Sequence, residues 1–172
     1  SDVQLIEPTI DEEKKYDQDL SEIIEITPYY DGETVLSDGT VTNYEGDVNV
    51  DGCPHGQGTA TYPDGVYVGD YKECLRHGRG IFTSTDGHIY DGEWKNNVRH
   101  GQGIITFSDG EAYVGSWKEN ERHGQGMYKW NDGRVYEGEW KNSKKDGQGA
   151  MIWPKNDYGI GLTYVGEWMD DV

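Results

Sequence analysis

Positive charge, cysteine and long apolar runs are all scarce in this chain. Its 15 Lys and Arg stand against 33 Asp and Glu, a formal net charge of −18. That balance excludes nucleic acid as a partner, because affinity for phosphates comes mainly from clustered basic side chains. It also weakens contact with anionic membranes, which is left to local patches such as Lys141, Lys144 and Lys145; a solvated turn is the simpler account of those three. No apolar stretch approaches the roughly 18 residues of a bilayer-crossing helix, and no charged-then-apolar leader opens the chain. A cytoplasmic protein is therefore expected. Hydrophobic residues make up 33% of the chain, too few for a thick aliphatic core.

What is abundant is glycine, with 25 residues, and aromatic rings, with 13 Tyr, 6 Trp and 2 Phe. They recur at fixed positions. A Tyr-x-Gly-(Asp/Glu/Ser)-(Trp/Tyr) pattern starts at Tyr44, Tyr67, Tyr90, Tyr113, Tyr136 and Tyr164, with Val48 in place of the first unit's closing ring, and the first four intervals are 23 residues. A period this short marks an array of small units, each stacked on its neighbours. In the unit 90–110, alternation puts Tyr90, Gly92 and Trp94 on one face of a strand and Asp91, Glu93 and Lys95 on the other. After a polar turn, Asn96-Asn97-Val98-Arg99, a second strand opens with Gly101-x-Gly103 and continues through Ile105 and Phe107, so the unit is a β-hairpin. The glycines leave bare backbone beside large rings such as Trp94, which offsets the weakness of glycine in a strand. Asp-Gly pairs, beginning at Asp64, Asp86, Asp109 and Asp132, then turn the chain into the next hairpin.

Three features sit on this lattice. His55, His77, His100 and His123 precede a Gly-x-Gly, and Asp146 takes that place in the fifth unit. Successive hairpins are displaced by about 10 Å while the ligands of one zinc lie ~2 Å from the ion, so a shared metal is not expected; each histidine is expected to hydrogen-bond the neighbouring turn. Cys53 and Cys74 fall in equivalent turns of neighbouring units, about two strand spacings or ~10 Å apart, whereas a disulfide needs Cα atoms within ~7 Å. Free thiols are expected. Finally, five additional residues over 154–162 lengthen the interval from Tyr136 to Tyr164 to 28, either a contact loop on a regular scaffold or a tolerated insertion.

Tyr-x-Gly-x-Trp, a Gly-x-Gly strand and Asp-Gly at a 23-residue period resemble the MORN (membrane occupation and recognition nexus) repeat family. The likeness covers roughly 44–168, with a degenerate half unit over 30–40. It implies an all-β fold: an elongated, twisted, single-layer antiparallel sheet of successive hairpins whose aromatic face forms a shallow groove. It implies a scaffold or adaptor at a membrane-cytoskeleton junction, or a regulatory segment beside an enzyme domain such as a lysine methyltransferase or a phosphatidylinositol phosphate kinase. No cofactor is implied.

The first 43 residues depart from the period and hold 12 acidic against 2 basic side chains. We divide the chain into an acidic segment, 1–29, and the array, 30–172. The spacing of Leu20, Ile23 and Ile24 fits a short amphipathic helix from about Asp11 to Ile26, ended by Pro28, with disorder as the alternative. Its task would be to cap the first sheet edge, to lie across the groove or to bind a partner. The chain opens without methionine and closes after half a sixth unit, an arrangement expected of a piece of a longer protein. The leading expectation is a non-catalytic interaction scaffold. It would hold an extended peptide or helix of another protein on Tyr67, Tyr90, Trp94, Tyr113, Trp117, Tyr136 and Trp140, ring types enriched at binding hot spots. The sheet's own one-sided core is the more usual fate of such rings, and in a sheet one layer thick both roles can hold at once. Homodimers through the open edges are compatible with this pattern. Catalysis is not expected: Glu93, Glu137 and Glu139 recur on strand faces, and a repeating lattice encloses no single pocket.

Overall fold

The computed structural model describes residues 28–35, 41–155 and 159–172. Among them every regular element is a strand: β1 Tyr29–Val35, β2 Val41–Val48, β3 Pro54–Tyr62, β4 Gly65–Lys72, β5 Leu75–Ser84, β6 Ile89–Lys95, β7 Val98–Thr106, β8 Ala112–Lys118, β9 Glu121–Lys129, β10 Val135–Lys141, β11 Lys144–Trp153 and β12 Leu162–Trp168. They lie side by side in chain order in one open antiparallel sheet. This is the all-β, single-layer array expected from the repeat. The expected helix over Asp11–Ile26 and part of the 154–162 insertion lie outside the described residues.

Local chemistry sets the hairpins. The loops Glu73-Cys74, Asn96-Asn97, Glu119-Asn120 and Asn142-Ser143 have two residues, both at positive φ, the primed turns whose twist matches that of the flanking strands. The turn is thus shorter than the polar run around it. Val98 and Arg99 already belong to β7 and pair with Lys95 and Trp94. At the opposite end of the strands the Asp-Gly turns at Asp86, Asp109 and Asp132 form as expected, with Gly110 N–H donating to Phe107 O at 3.0 Å and Glu111 N–H to Asp109 Oδ1 at 3.0 Å; at the first, Gly65 already belongs to β4 and pairs with Tyr62, which leaves Pro63-Asp64 as the turn.

The motif His-Gly-Gln-Gly is a bulge. Gly92 pairs with Gly103 and Trp94 with Arg99, so His100, Gly101 and Gln102 stand opposite Glu93 alone. Gly101 takes a φ of +65° there, and Glu93 Oε1 accepts the freed Gln102 N–H at 2.8 Å. The ring that covers the glycine pair is Tyr90, where Trp94 was expected: a Cβ on Gly103 would overlap the Tyr90 hydroxyl. That hydroxyl donates to Glu93 O at 2.9 Å, while Trp94 Nε1 donates to Gly80 O of the preceding unit at 3.0 Å. Tyrosine therefore locks its own hairpin and tryptophan reaches back to the one before.

Edge-to-face ring contacts continue this linkage. Tyr67 meets Trp94 at 5.3 Å, Tyr90 meets Trp117 at 5.4 Å, and Tyr113 meets Trp140 at 5.4 Å, geometry that the ring quadrupoles favour. Tyr71 and Val48 fill the tryptophan position of the first two units and are equally buried. The core is thus one face of a single sheet. The other face carries half-exposed Val68, Ile81, Ile104, Val114 and Met127.

The cysteines correct the sequence reading. Cys53 and Cys74 form a disulfide, with Cα atoms 5.1 Å apart. Cys53 precedes β3 and Cys74 follows β4, and those strands are direct neighbours with Gly56 opposite Tyr71. The separation is one strand spacing, about 5 Å, because facing sides of two turns are closer than their centres.

Candidate functional site

The residue before His77, His100 and His123, and before Asp146 in the fifth unit, forms a second ladder on the aromatic face. Arg76, Arg99, Arg122 and Lys145 open strands β5, β7, β9 and β11 at 23-residue intervals. Each arginine clamps the turn of the next hairpin. Arg99 N–H donates to Asn120 Oδ1 at 2.9 Å and its Nη2 to Asn120 O at 3.1 Å, while Asn120 N–H returns a bond to Arg99 O at 3.0 Å. Arg76 makes the same set with Asn97, and Arg122 uses Ser143.

So held, the guanidinium lies over the ring of the following unit: Arg76 over Trp94 at 4.6 Å, Arg99 over Trp117 at 4.5 Å and Arg122 over Trp140 at 4.5 Å, with Lys145 Nζ over Trp168 at 4.1 Å. Cation–π contacts at such distances are favourable. Burial lowers the pKa of Arg99 and Arg122 below the ordinary arginine value. Among the described residues no carboxylate forms an ion pair with any of these four cations; the ion pairs present are His88–Asp86, Arg134–Asp132 and Lys144–Asp170.

The seven rings expected to bind a partner are brought together in one ladder. All are buried: Tyr67, Tyr113 and Tyr136 at 0% exposure, Tyr90 at 3%, Trp140 at 4%, Trp117 at 5% and Trp94 at 6%. Burial raises every tyrosine of this set, Tyr113 and Tyr136 to about 12. The surface above them is made by the cations and by half-buried rings such as Phe82, Phe107 and Trp130. Beside Arg76 and Arg99 a groove of about 610 Å³ opens, lined also by Phe82, His88, Trp94 and Ile105.

The histidines also differ from expectation. Nδ1 of His77 and of His100 is buried with no hydrogen-bond partner among the described residues. The acceptors of the neighbouring turn are taken by the preceding arginine, so no bond to that turn forms. The cation row is what the sequence reading passed over. Its signal lies in the same 23-residue period, but Asn96-Asn97-Val98-Arg99 reads from sequence as one polar turn.

Comparison with known proteins places these observations in context. A family model described as MORN repeat matches five times, at residues 44–66, 67–89, 90–112, 113–133 and 136–158. No curated protein sequence matches the chain. Among solved structures, the SAS-4 (dCPAP) TCP domain of Drosophila melanogaster, in complex with a proline-rich motif of Ana2 (dSTIL), is similar over 81% of this chain and 91% of that one, at 11% identity and a TM-score of 0.37.

Proposed function

Since the chain belongs to the MORN repeat family, we propose that it is a non-catalytic scaffold holding an extended segment or a helix of a partner protein along its aromatic face. The observation that carries this reading is the finish of that face. The rings are sealed beneath it, and the groups left half exposed are cations with no carboxylate ion pair among the described residues and the edges of Phe82 and Phe107. A rigid floor with unspent directional donors suits recognition, because little has to be ordered on binding. The carboxylates that recur along the array fit this picture. Glu93 and Glu139 hold the N–H groups of Gln102 and Gln148 at 2.8 Å and 2.9 Å, so they serve the bulge and are not free for acid-base chemistry. Residence at a membrane-cytoskeleton junction, and pairing of two copies through the open sheet edges, belong to the same proposal.

The test is capture by the full chain with photo-crosslinkers placed singly at Val114 on the opposite face, in the 154–162 insertion, and at His88 in the groove, read by mass spectrometry. A partner cross-linked from His88, and lost from a Phe82→Ala/Phe107→Ala variant whose CD spectrum is unchanged, is the expected result. Capture that survives the double substitution, with cross-links mapping only to the opposite face or the 154–162 insertion, would refute the groove.

A further inference from the structure

The three arginines of the cation row keep part of their bonding capacity unused. Nη2 of Arg76, Arg99 and Arg122 is committed to a carbonyl of the next turn. Nη1 of each has no hydrogen-bond partner among the described residues, and it is not buried. A guanidinium held in this way presents a fixed, charged donor to an oxygen acceptor. Lys145 differs, because Asp171 Oδ1 already accepts its backbone N–H at 2.9 Å. The site is therefore the three arginines.

The groove beside them is polarised along the strands. Arg76 and Arg99 stand at one end, Phe82 and Ile105 line the middle, and Asp64 and Asp86 stand at the other, by the Asp-Gly turns. A chain that carries carboxylates is attracted to the first end and repelled from the second.

We propose that the partner segment seated on this row is acidic and extended, with a carboxylate at every third residue, one each for Arg76, Arg99 and Arg122. The inference rests on the aromatic face being a binding surface, and it names the chemistry of what that surface holds.

The period selects the conformation. The arginines recur every second strand, about 9.6 Å, so the three span about 19 Å. A polyproline-like chain has three residues per turn at ~3.1 Å each, which puts side chains i, i+3 and i+6 on one face over about 18.6 Å. A helix would need i, i+7 and i+14, about 21 Å. A strand returns to one face only at about 6.8 Å or 13.6 Å. The polyproline-like form keeps all three carboxylates in register with the least mismatch.

The experiment uses the full chain and a fluorescein-labelled peptide, Glu-Pro-Pro-Glu-Pro-Pro-Glu, with Pro-Pro-Glu-Glu-Glu-Pro-Pro as a control of equal composition and charge. Fluorescence anisotropy gives the affinities, and the indole N–H signals of Trp94, Trp117 and Trp140, the rings beneath the arginines, locate the peptide by NMR. The spaced peptide should bind at least about fivefold tighter than the control, because linked contacts raise one another's effective concentration. It should shift all three indole signals and be released near about 0.5 M salt, where charge attraction is screened. Equal binding of the two peptides, which would mean attraction without register, would overturn the proposal, and so would no binding of either. Shifts confined to the opposite face, at Val114 and Met127, would overturn it as well. A further contrary result is phosphatidylserine vesicles that bind the chain through Arg99 while the spaced peptide does not. Arg99→Gln with an unchanged CD spectrum should bring the spaced peptide down to the affinity of the control; if that variant unfolds, the comparison of the two peptides still decides. No cellular partner enters this experiment. Failure of the spaced peptide while cross-linking from His88 succeeds would refute the acidic register alone, whereas peptide binding with partner cross-links only elsewhere would refute the groove as the partner's seat.

Discussion

The first junction between units and the interior junctions perform one task with different chemistry. Between the units of Arg76, Arg99 and Arg122, an arginine donates from backbone and side chain to the next turn and covers the next tryptophan. At the first junction Pro54 holds the arginine's place, and it has neither an N–H nor a cation to give. Only the returning bond survives, Cys74 N–H to Pro54 O at 2.9 Å, and the disulfide supplies the rest. Cys74 stands where the interior turns carry Asn97, Asn120 and Ser143. The lesson is that the lattice demands a tie at every turn and leaves its chemistry open.

Alkali should break both kinds of junction and gives the largest expected effect. Buried tyrosines bind their protons more tightly folded than unfolded, with Tyr113 and Tyr136 raised from the ordinary 10.0 to about 12. Between those values the native chain is protonated where the unfolded chain has ionised. Their contribution is therefore full below about pH 10 and is lost as pH rises through about 12, at on the order of 1.4 kcal/mol per pH unit for each ring. Tyrosinate absorbance should rise together with loss of the CD signal; ionisation without unfolding would contradict the burial argument.

Removing the disulfide should separate the two solutions. Cys53→Ser/Cys74→Ser is expected to cost about 3 kcal/mol, the loop-closure value for the 21-residue separation. Amide exchange should quicken in β2 to β4 and stay slow in β6 to β10. Uniform acceleration would mean that the junctions are not independent. A sharper version installs the interior clamp at the first junction: Cys53→Val/Pro54→Arg/Cys74→Asn should regain at least about 1 kcal/mol over the double serine variant, from the restored hydrogen bonds. Chemical denaturation decides it.

Smaller still, Arg99→Gln should cost about 1–2 kcal/mol through the lost bond to Asn120 and the lost cover on Trp117, with a matching shift in indole fluorescence. Lys145→Arg is the mildest change. It converts the last junction to the interior type and should stabilise by a few tenths of a kcal/mol, because the planar guanidinium can both stack and donate; a loss would show that Lys145 is not an equivalent of Arg122.

Most of the fold was legible because the sheet repeats one local rule. Tyr90, Gly92 and Trp94 announce a strand, and a 23-residue return announces its copies. What escaped depended on which side of a turn a residue occupies. Asn96 to Arg99 reads as four polar turn residues, yet only two form the loop, which moves Arg99 into a strand and onto a ring. The same miscount placed the cysteines two spacings apart. The rings, read as either the lining of a groove or the sheet's own core, are buried, an alternative that aromatic periodicity alone does not decide.

Strand order identical to chain order also settles how the molecule would answer a pull. Its described ends sit eleven strand spacings apart, about 53 Å, so tension between them runs across the strands and opens hydrogen bonds one after another, as a zipper does. Each junction that yields would pay out about a repeat of slack at low force. The link from Cys53 to Cys74 shorts β3 and β4 out of that circuit, so those two strands cannot lengthen while the strands on either side of them open in steps.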